Sequence, residues 1–515
     1  MSSTARGKVA STAETTETAP VRWASLPPQG REEAPKRRRP FRPAPLIVAL
    51  VLMGFAVWCI WAATGGDLDP MGALTLVVFA AAVWLWIFSP LDDTYVALGA
   101  ALVLVATGVV TDNELFSSLG EDTVWLLLAA FVIAAGVTAS GLATRIAGFV
   151  VTGAKSVNQL FHLTTLVLVV TAFAVPSTSG RAALALPVFV ALATVLQERR
   201  RVVLALSLLF PSVILLSAVG SYLGAGAHLI TSQILAAAGE RSFGVASWLL
   251  LGLPLALLSS HVCAELILRL FTDKTDRQLG VSITLDDLQR HAPTPITGPM
   301  TTAQSRSAML VAVVVVLWCS EPLHGLHPAV VGLIGALLAA SPKWGSVKLA
   351  KALKSVPWSL LVFMAATLTL GTGLVNSGAA DWLARQALGP VQSAGATAPA
   401  LFVILVVILS TAAHLVIQSR SARSAVLIPI IVALAPGLGV DAAAAAFAST
   451  AAAGFCHTLT SSAKPVTLFS DVEGIETFQP QHLLRLSAFL APISAVLVLI
   501  FSFWIWPLMG LPLFL

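Results

Sequence analysis

Ser177-Thr178-Ser179-Gly180-Arg181-Ala182-Ala183 and Ser419-Arg420-Ser421-Ala422-Arg423-Ser424-Ala425 are the stretches whose reading decides the fold. Each interrupts a long apolar run. Each is followed by a proline ten positions after its first serine, Pro187 and Pro429. A polar, arginine-bearing break that recurs at membrane depth points to a transporter built from two related halves, with its binding site where the breaks meet.

Composition sets the class around those breaks. Apolar residues make up 57% of the 515 and charged residues 11%. A water-soluble domain of this size would lack surface charge. Many uncharged runs are long enough to cross ~30 Å of hydrocarbon. Strand-like alternation is missing, which argues against a β-barrel. The expectation is an all-α polytopic membrane protein with about eleven transmembrane helices.

Residues 1–44 read as a disordered, basic cytoplasmic tail, too polar to bury a core. It ends in Lys36-Arg37-Arg38-Arg39-Pro40-Phe41-Arg42 and holds nine Lys/Arg against four Glu, which equals the net charge of +5 for the whole chain. The high pI therefore carries no sign of nucleic acid, and the expected contact of the tail is anionic lipid. The run Leu46–Thr64 is long enough to span, which argues against a cleaved signal peptide. Residues 45–70 are read as the first transmembrane helix, 71–271 as the first repeat, 272–306 as a cytoplasmic linker and 307–515 as the second, inverted repeat. The four cysteines lie scattered in or beside apolar runs, as packing residues do.

Two pairs of apolar runs, 158–176 with 182–197 and 398–417 with 424–436, are joined only by the polar breaks. They read as re-entrant hairpins, since irregular backbone at membrane depth needs protein or a wet cavity around it. The helices after the breaks would begin near Ala182 and Ser424. A broken helix follows each hairpin: Gly220-Ser221-Tyr222-Leu223-Gly224-Ala225-Gly226-Ala227-His228, and His457-Thr458-Leu459-Thr460-Ser461-Ser462-Ala463-Lys464-Pro465. Corresponding elements stay about 233–242 residues apart. Arg199, Arg200 and Arg201, the linker, and Lys343, Lys348, Lys351 and Lys354 should all face the cytoplasm with the N-terminus. The first hairpin then enters from inside and the second from outside.

Glu321-Pro322-Leu323-His324-Gly325-Leu326-His327-Pro328-Ala329-Val330-Val331 resembles a stretch of the divalent anion/sodium symporter family. So does Ser355-Val356-Pro357-Trp358 through Asn376-Ser377-Gly378-Ala379-Ala380-Asp381-Trp382-Leu383-Ala384. The resemblance covers about residues 71–512. It implies an elevator-type homodimer with scaffold and transport domains, carrying di- or tricarboxylates or sulfate with sodium. Family members have Ser-Asn-Thr at both tips and a Gly-Thr-Pro-Pro-Asn-like loop in both broken helices. This chain departs from that pattern. It has Ser177-Thr178-Ser179 and Ser419-Arg420-Ser421 at the tips, His228 in place of Asn, and Ala463-Lys464-Pro465 in place of Pro-Pro-Asn. Positive charge at 420 and 464 repels a cation at close range. The second sodium site is therefore expected to be absent, and a sodium ion at the first hairpin rests on the resemblance alone.

The breaks supply Arg181, Arg420, Arg423, Lys464 and His228, with hydroxyls from Ser177, Thr178, Ser179, Ser419, Ser421, Ser461 and Ser462, and no acid. An unpaired arginine at membrane depth costs ~2.5 kcal/mol or more. Guanidinium binds oxyanions in bidentate fashion, and helix N-termini add N–H donors. These twelve residues are the candidate substrate site for a small anion: sulfate, a sulfonate or a carboxylate. The competing roles are helix capping or snorkelling by Arg181 or Arg423, a fixed charge in place of a bound cation at Arg420, and a solvent-facing Lys464. His261, Glu265 and Arg269 read as a local ion-pair cluster rather than a proton path. No metal, cofactor or catalytic residue is expected, and no nucleophile–base pair marks an enzyme. The alternative to a carrier is an anion channel or a transporter-like sensor.

Overall fold

Proline and small polar residues set where the helices of this chain begin. Asp69 accepts from Met71 N–H just before Pro70, and Asp92 accepts from Thr94 N–H. Thr111 and Glu114 form a reciprocal capping box, as do Thr301 and Gln304. Each cap satisfies a donor that the first helical turn leaves free. The computed structural model describes residues 43–278, 280–289, 297–392 and 395–515. The tail expected at 1–44 falls almost entirely outside those residues, as does the linker segment with Arg290.

After α1 (Pro43–Thr64), the chain forms α2 (Pro70–Phe88), α3 (Asp93–Ala106), α4 (Asp112–Ser117), α5 (Asp122–Ser140) and α6 (Leu142–Val151). The first hairpin is α7 (Val157–Ala174) and α8 (Thr178–Val195). The first broken helix is α9 (Arg200–Leu216) and α10 (Gly226–Ala237), and α11 (Val245–Phe271) completes the set. Two short linker helices follow, α12 (Lys274–Gln278) and α13 (Leu285–Gln289). The order then repeats: α14 (Thr302–Cys319), a turn α15 (Glu321–His324), α16 (Pro328–Ala339), α17 (Leu349–Lys354), α18 (Trp358–Asn376) and α19 (Ala379–Gln392). The second hairpin is α20 (Ala398–Ala412) and α21 (Arg420–Leu434). The second broken helix is α22 (Ala442–Ala452) and α23 (Lys464–Ser470), and α24 (Pro480–Ile500) closes the set. Among the described residues there is no strand beyond isolated bridges, and ten helices are long and apolar enough to cross a membrane. Four shorter apolar helices accompany them.

Packing mirrors the order of the elements. Helix α3 lies along α18, and its counterpart α16 lies along α5; α10 packs on α21, and α8 on α23. Such exchanged pairs are what two-fold-related halves produce. Counting α2, α3, α5, the α9–α10 pair and α11 as crossings, and a hairpin as none or two, each set crosses an odd number of times. The second set therefore starts from the opposite face, and the halves are inverted.

Charge divides between the faces accordingly. On one, Arg201 pairs with Asp273, Arg199 donates to Gly280 O, Arg306 donates to Lys343 O, and Arg145 donates to the Gly298 and Pro299 carbonyls. On the other, Glu114, Glu121, Asp122 and Glu321 sit at helix starts, where a carboxylate complements the positive end of the helix dipole. Helix α9 is enclosed almost throughout its length, so the first broken helix runs through protein rather than along lipid.

Candidate functional site: two hairpin tips with opposite environments

The tips are built by serine caps. Ser177 Oγ accepts from Gly180 N–H and Ser419 Oγ from Ala422 N–H, both at 3.2 Å. These caps start α8 at Thr178 and α21 at Arg420, a full turn before the expected starts at Ala182 and Ser424. Side-chain oxygens at the N-cap supply the reason: they hold the first turn closed where polarity alone reads as loop. Arg181 and Arg423 therefore occupy equivalent positions, each four residues past its cap.

Arg181 is wholly buried and fully engaged. Its Nε donates to Thr171 Oγ1 (3.0 Å) and its Nη1 to Ile214 O (2.9 Å). Its Nη2 donates to Leu168 O (2.5 Å) and Ser217 Oγ (2.7 Å). One guanidinium thus ties α7, α8 and α9 together. Of the roles read from the sequence, the structural one fits Arg181: its donors are taken by the protein, and they do not face a ligand.

Arg423 is also wholly buried, yet none of its three guanidinium nitrogens has a hydrogen-bond partner; the same holds for the three of Arg420. Neither arginine has an ion pair among the described residues. The Cys456 thiol lies beside both. A side-chain carbon at position 454 would come within 3.2 Å of Arg420 Nη2, so Gly454 leaves the second broken helix open at the point where Arg420 meets it. The sequence explains the contrast with Arg181. At the offset of the tips, Thr171 corresponds to Ala413, Ser217 to Leu459 and Ile214 to Cys456. The positions of the two hydroxyls that serve the first arginine carry apolar residues at this offset in the second half. Two adjacent unpaired buried cations cost several kcal/mol in the empty protein, and an anion with several oxygens removes that cost.

The remaining candidates divide around this pair. Ser421 Oγ would lie 3.1 Å from a side-chain carbon at Gly226, which places it against the first broken helix. His228 is buried and stacked on Trp248 at 4.8 Å between centroids. Its Nδ1 lies 2.9 Å from Ser221 O and so carries the hydrogen, leaving an unpartnered lone pair at Nε2. In that neutral tautomer Nε2 is an acceptor, and the donor role expected of His228 would need the doubly protonated ring. Ser462 is buried and accepts from Leu459 N–H (3.0 Å), so it shapes the break, while Ser461 is exposed. Lys464 is exposed at the start of α23, away from the enclosure around the arginines, and its neighbour is the Asp93 carboxylate. Ser177 acts as a cap, and Thr178 and Ser179 are half-buried in the first turn of α8.

Sequence reasoning missed several neighbours. Ser424 Oγ is buried without a partner next to Arg423. Cys456 and Gly454 also border the site. Glycine in the broken helix was a readable signal.

The residues do not fit a cation at the second tip, where the Arg420 guanidinium stands. Among the described residues, no group of three or more His, Cys, Asp or Glu could hold a metal ion. A separate cavity of about 540 Å³ is lined by Glu114, Glu121, Asp122 and Glu321, with His327 2.9 Å from Asp122. It contains none of the twelve candidates. Its acids belong to helix starts, and a carboxylate-lined space repels anions.

Comparison with known proteins bears on the family and the fold. Residues 83–452 match the profile of the citrate transporter family, CitMHS. A membrane protein of Cupriavidus necator is 25% identical over 392 residues, 74% of either chain. A putative malate transporter of Bacillus subtilis, YflS, is 25% identical over 66% of this chain and 70% of its own. Among solved structures, the Neisseria gonorrhoeae antimetabolite efflux pump MtrF superposes with a TM-score of 0.56 at 15% identity, covering 89% of this chain and 99% of its own. The Alcanivorax borkumensis transporter YdaH gives 0.55 at 14%, covering 84% and 99%. At such identity the two structures speak for the fold alone. The chain is an integral membrane transporter and not an enzyme. The profile spans well over half of its length, and the chain belongs to the citrate transporter family.

Proposed function

We propose that this protein is a secondary transporter that moves a small oxyanion by an elevator-type alternating-access cycle. The observation that carries the reading is the set of six unpartnered guanidinium nitrogens on Arg420 and Arg423, buried at a hairpin tip. Uncompensated arginine at membrane depth marks a substrate pathway, and its planar fork matches carboxylate or sulfate. Among oxyanions, the family description and the malate transporter relative favour di- and tricarboxylates over sulfate and sulfonates. Arg420 supplies a fixed positive charge where related symporters hold a cation, so the cycle runs without sodium at that tip. The carrier works as a homodimer in the cell membrane, with its N-terminus in the cytoplasm and repeats at 71–271 and 307–515. The basic residues collected on one face support that orientation.

Uptake into proteoliposomes tests the reading, with citrate, malate, sulfate and a sulfonate, each with and without sodium or a pH gradient. A carrier saturates and shows counterflow. Flux that rises without saturation makes the protein a channel, and no flux or binding of any anion leaves the sensor reading.

A further inference from the structure

Arg181 ties the first hairpin to the first broken helix; in the second half other residues make that tie. Helix α20 packs along α22 and α24 and runs into a tight turn, Ala413–Leu415, on its way to the tip. His414 in that turn is buried and engaged on both sides of its ring. Its Nδ1 lies 2.6 Å from Thr411 O, which sets a hydrogen there. Its Nε2 lies 2.8 Å from Thr458 Oγ1, in the loop of the second broken helix. Thr458 Oγ1 in turn lies 2.6 Å from Ser487 Oγ on α24. With a neutral ring, Ser487 donates to Thr458 and Thr458 donates to Nε2; a doubly protonated ring reverses both hydroxyls and keeps the chain whole. The loop is anchored from its other side, where His457 Nε2 meets Ser212 O of α9 at 3.4 Å. Phe455 lies edge-on to the His414 ring, 5.2 Å between centroids. The same loop contains Gly454, which Arg420 Nη2 approaches, and the wholly buried Cys456. At the offset of the tips, His414 and Thr458 correspond to Ala172 and Leu216, which carry no polar group. The chain therefore belongs to the half whose arginines are free.

We infer that His414, Thr458 and Ser487 form a latch that holds the second hairpin against its broken helix before substrate binds, which makes His414 and Thr458 positioning residues for the anion site. The inference rests on the arginine pair being that site. A tie made away from the guanidinium groups leaves their donors for a ligand, whereas in the first half the tie consumes them. An unlatched hairpin spends only part of its time in the binding arrangement, and the apparent affinity for any anion falls by that fraction. His414 and Thr458 are two links of one chain, so removing both has the effect of removing either.

The test uses the full-length protein in proteoliposomes, with the exposed Cys319 changed to Ser and maleimide labelling of Cys456 read by mass spectrometry. In Thr458→Val the KM for malate and the KM for citrate rise by the same factor, about ten-fold, with the maximal rate within about two-fold of the parent. Without substrate, Cys456 in that variant labels at least about five-fold faster, because the hairpin no longer covers it. Thr458→Ser keeps the hydroxyl and restores the parent's values. His414→Leu shifts both readouts as Thr458→Val does, and the double variant goes no further. Ser487→Ala breaks the outer link and speeds labelling by about three-fold, which gives a reading even if Thr458→Val fails to fold. Parental KM and labelling in both Thr458→Val and Ser487→Ala overturn the inference, as does a Thr458→Ser variant as impaired as Thr458→Val. If Arg423→Met binds both anions as the wild type does, the anion-site reading falls, and labelling of Cys456 without substrate still decides whether the latch exists.

Discussion

Arg181 and Arg423 stand at the same place in two related hairpins, and their surroundings treat them in opposite ways. The first is held by two carbonyls and two hydroxyls from α7 and α9. The second is equally buried, and its guanidinium has no hydrogen-bond partner, only the Cys456 thiol beside it. Thr171 and Ser217 bind the first arginine, and the positions at the same sequence offset in the second half carry Ala413 and Leu459, which have no hydroxyl to offer. Duplication supplied two buried arginines. One is bound into the fold, and the other, with Arg420 beside it, has no hydrogen-bond partner on its guanidinium. A repeated motif therefore locates a site without saying which copy binds.

The largest expected effect separates the two arginines outright. Arg423→Met abolishes uptake, by about 100-fold or more, since the main donor to the anion is gone. The same change leaves the melting temperature unaltered or raises it, because replacing an unpaired buried charge with an apolar side chain stabilises by about 1–4 kcal/mol. Arg181→Met goes the other way. It strands the Leu168 and Ile214 carbonyls and destabilises the protein by about 3–5 kcal/mol, while whatever folds binds substrate within about three-fold of wild type. Thermal unfolding of both variants, with and without citrate or malate, checks the pair.

A graft sharpens the comparison further. Ala413→Thr with Leu459→Ser puts hydroxyls at the positions that correspond by sequence offset to those serving the first arginine. Substrate then has to displace them, and affinity falls by about ten-fold, or ~1.4 kcal/mol, in a binding titration. The reverse change, Thr171→Ala with Ser217→Ala, costs about 2–3 kcal/mol of stability and leaves affinity alone. The smallest effect concerns the cation: replacing sodium with choline changes initial uptake by less than about two-fold, because the Arg420 charge repels a cation at the second tip.

Much of this was legible in the chain. Apolar runs, the recurring breaks and their constant offset led to an all-α protein with two hairpins and two broken helices, and the described helices follow that order. The helix starts were misplaced by a turn, because a serine cap extends a helix into residues that look like loop. The two arginines were read as a matched pair, since the partners of Arg181 lie on other helices and only packing shows them. The contact of His228 with Ser221 O, which sets a hydrogen on Nδ1 and leaves Nε2 without a partner, was not readable from the sequence.

The most direct measurement is a cryo-EM structure of the protein in lipid with saturating malate or citrate. The account predicts density for the anion between the Arg420 and Arg423 guanidinium groups, within hydrogen-bond distance of both, and an Arg181 side chain still bound to Thr171 and Ser217. An anion lodged elsewhere, or Arg420 and Arg423 closed onto carboxylates of the protein itself, contradicts it.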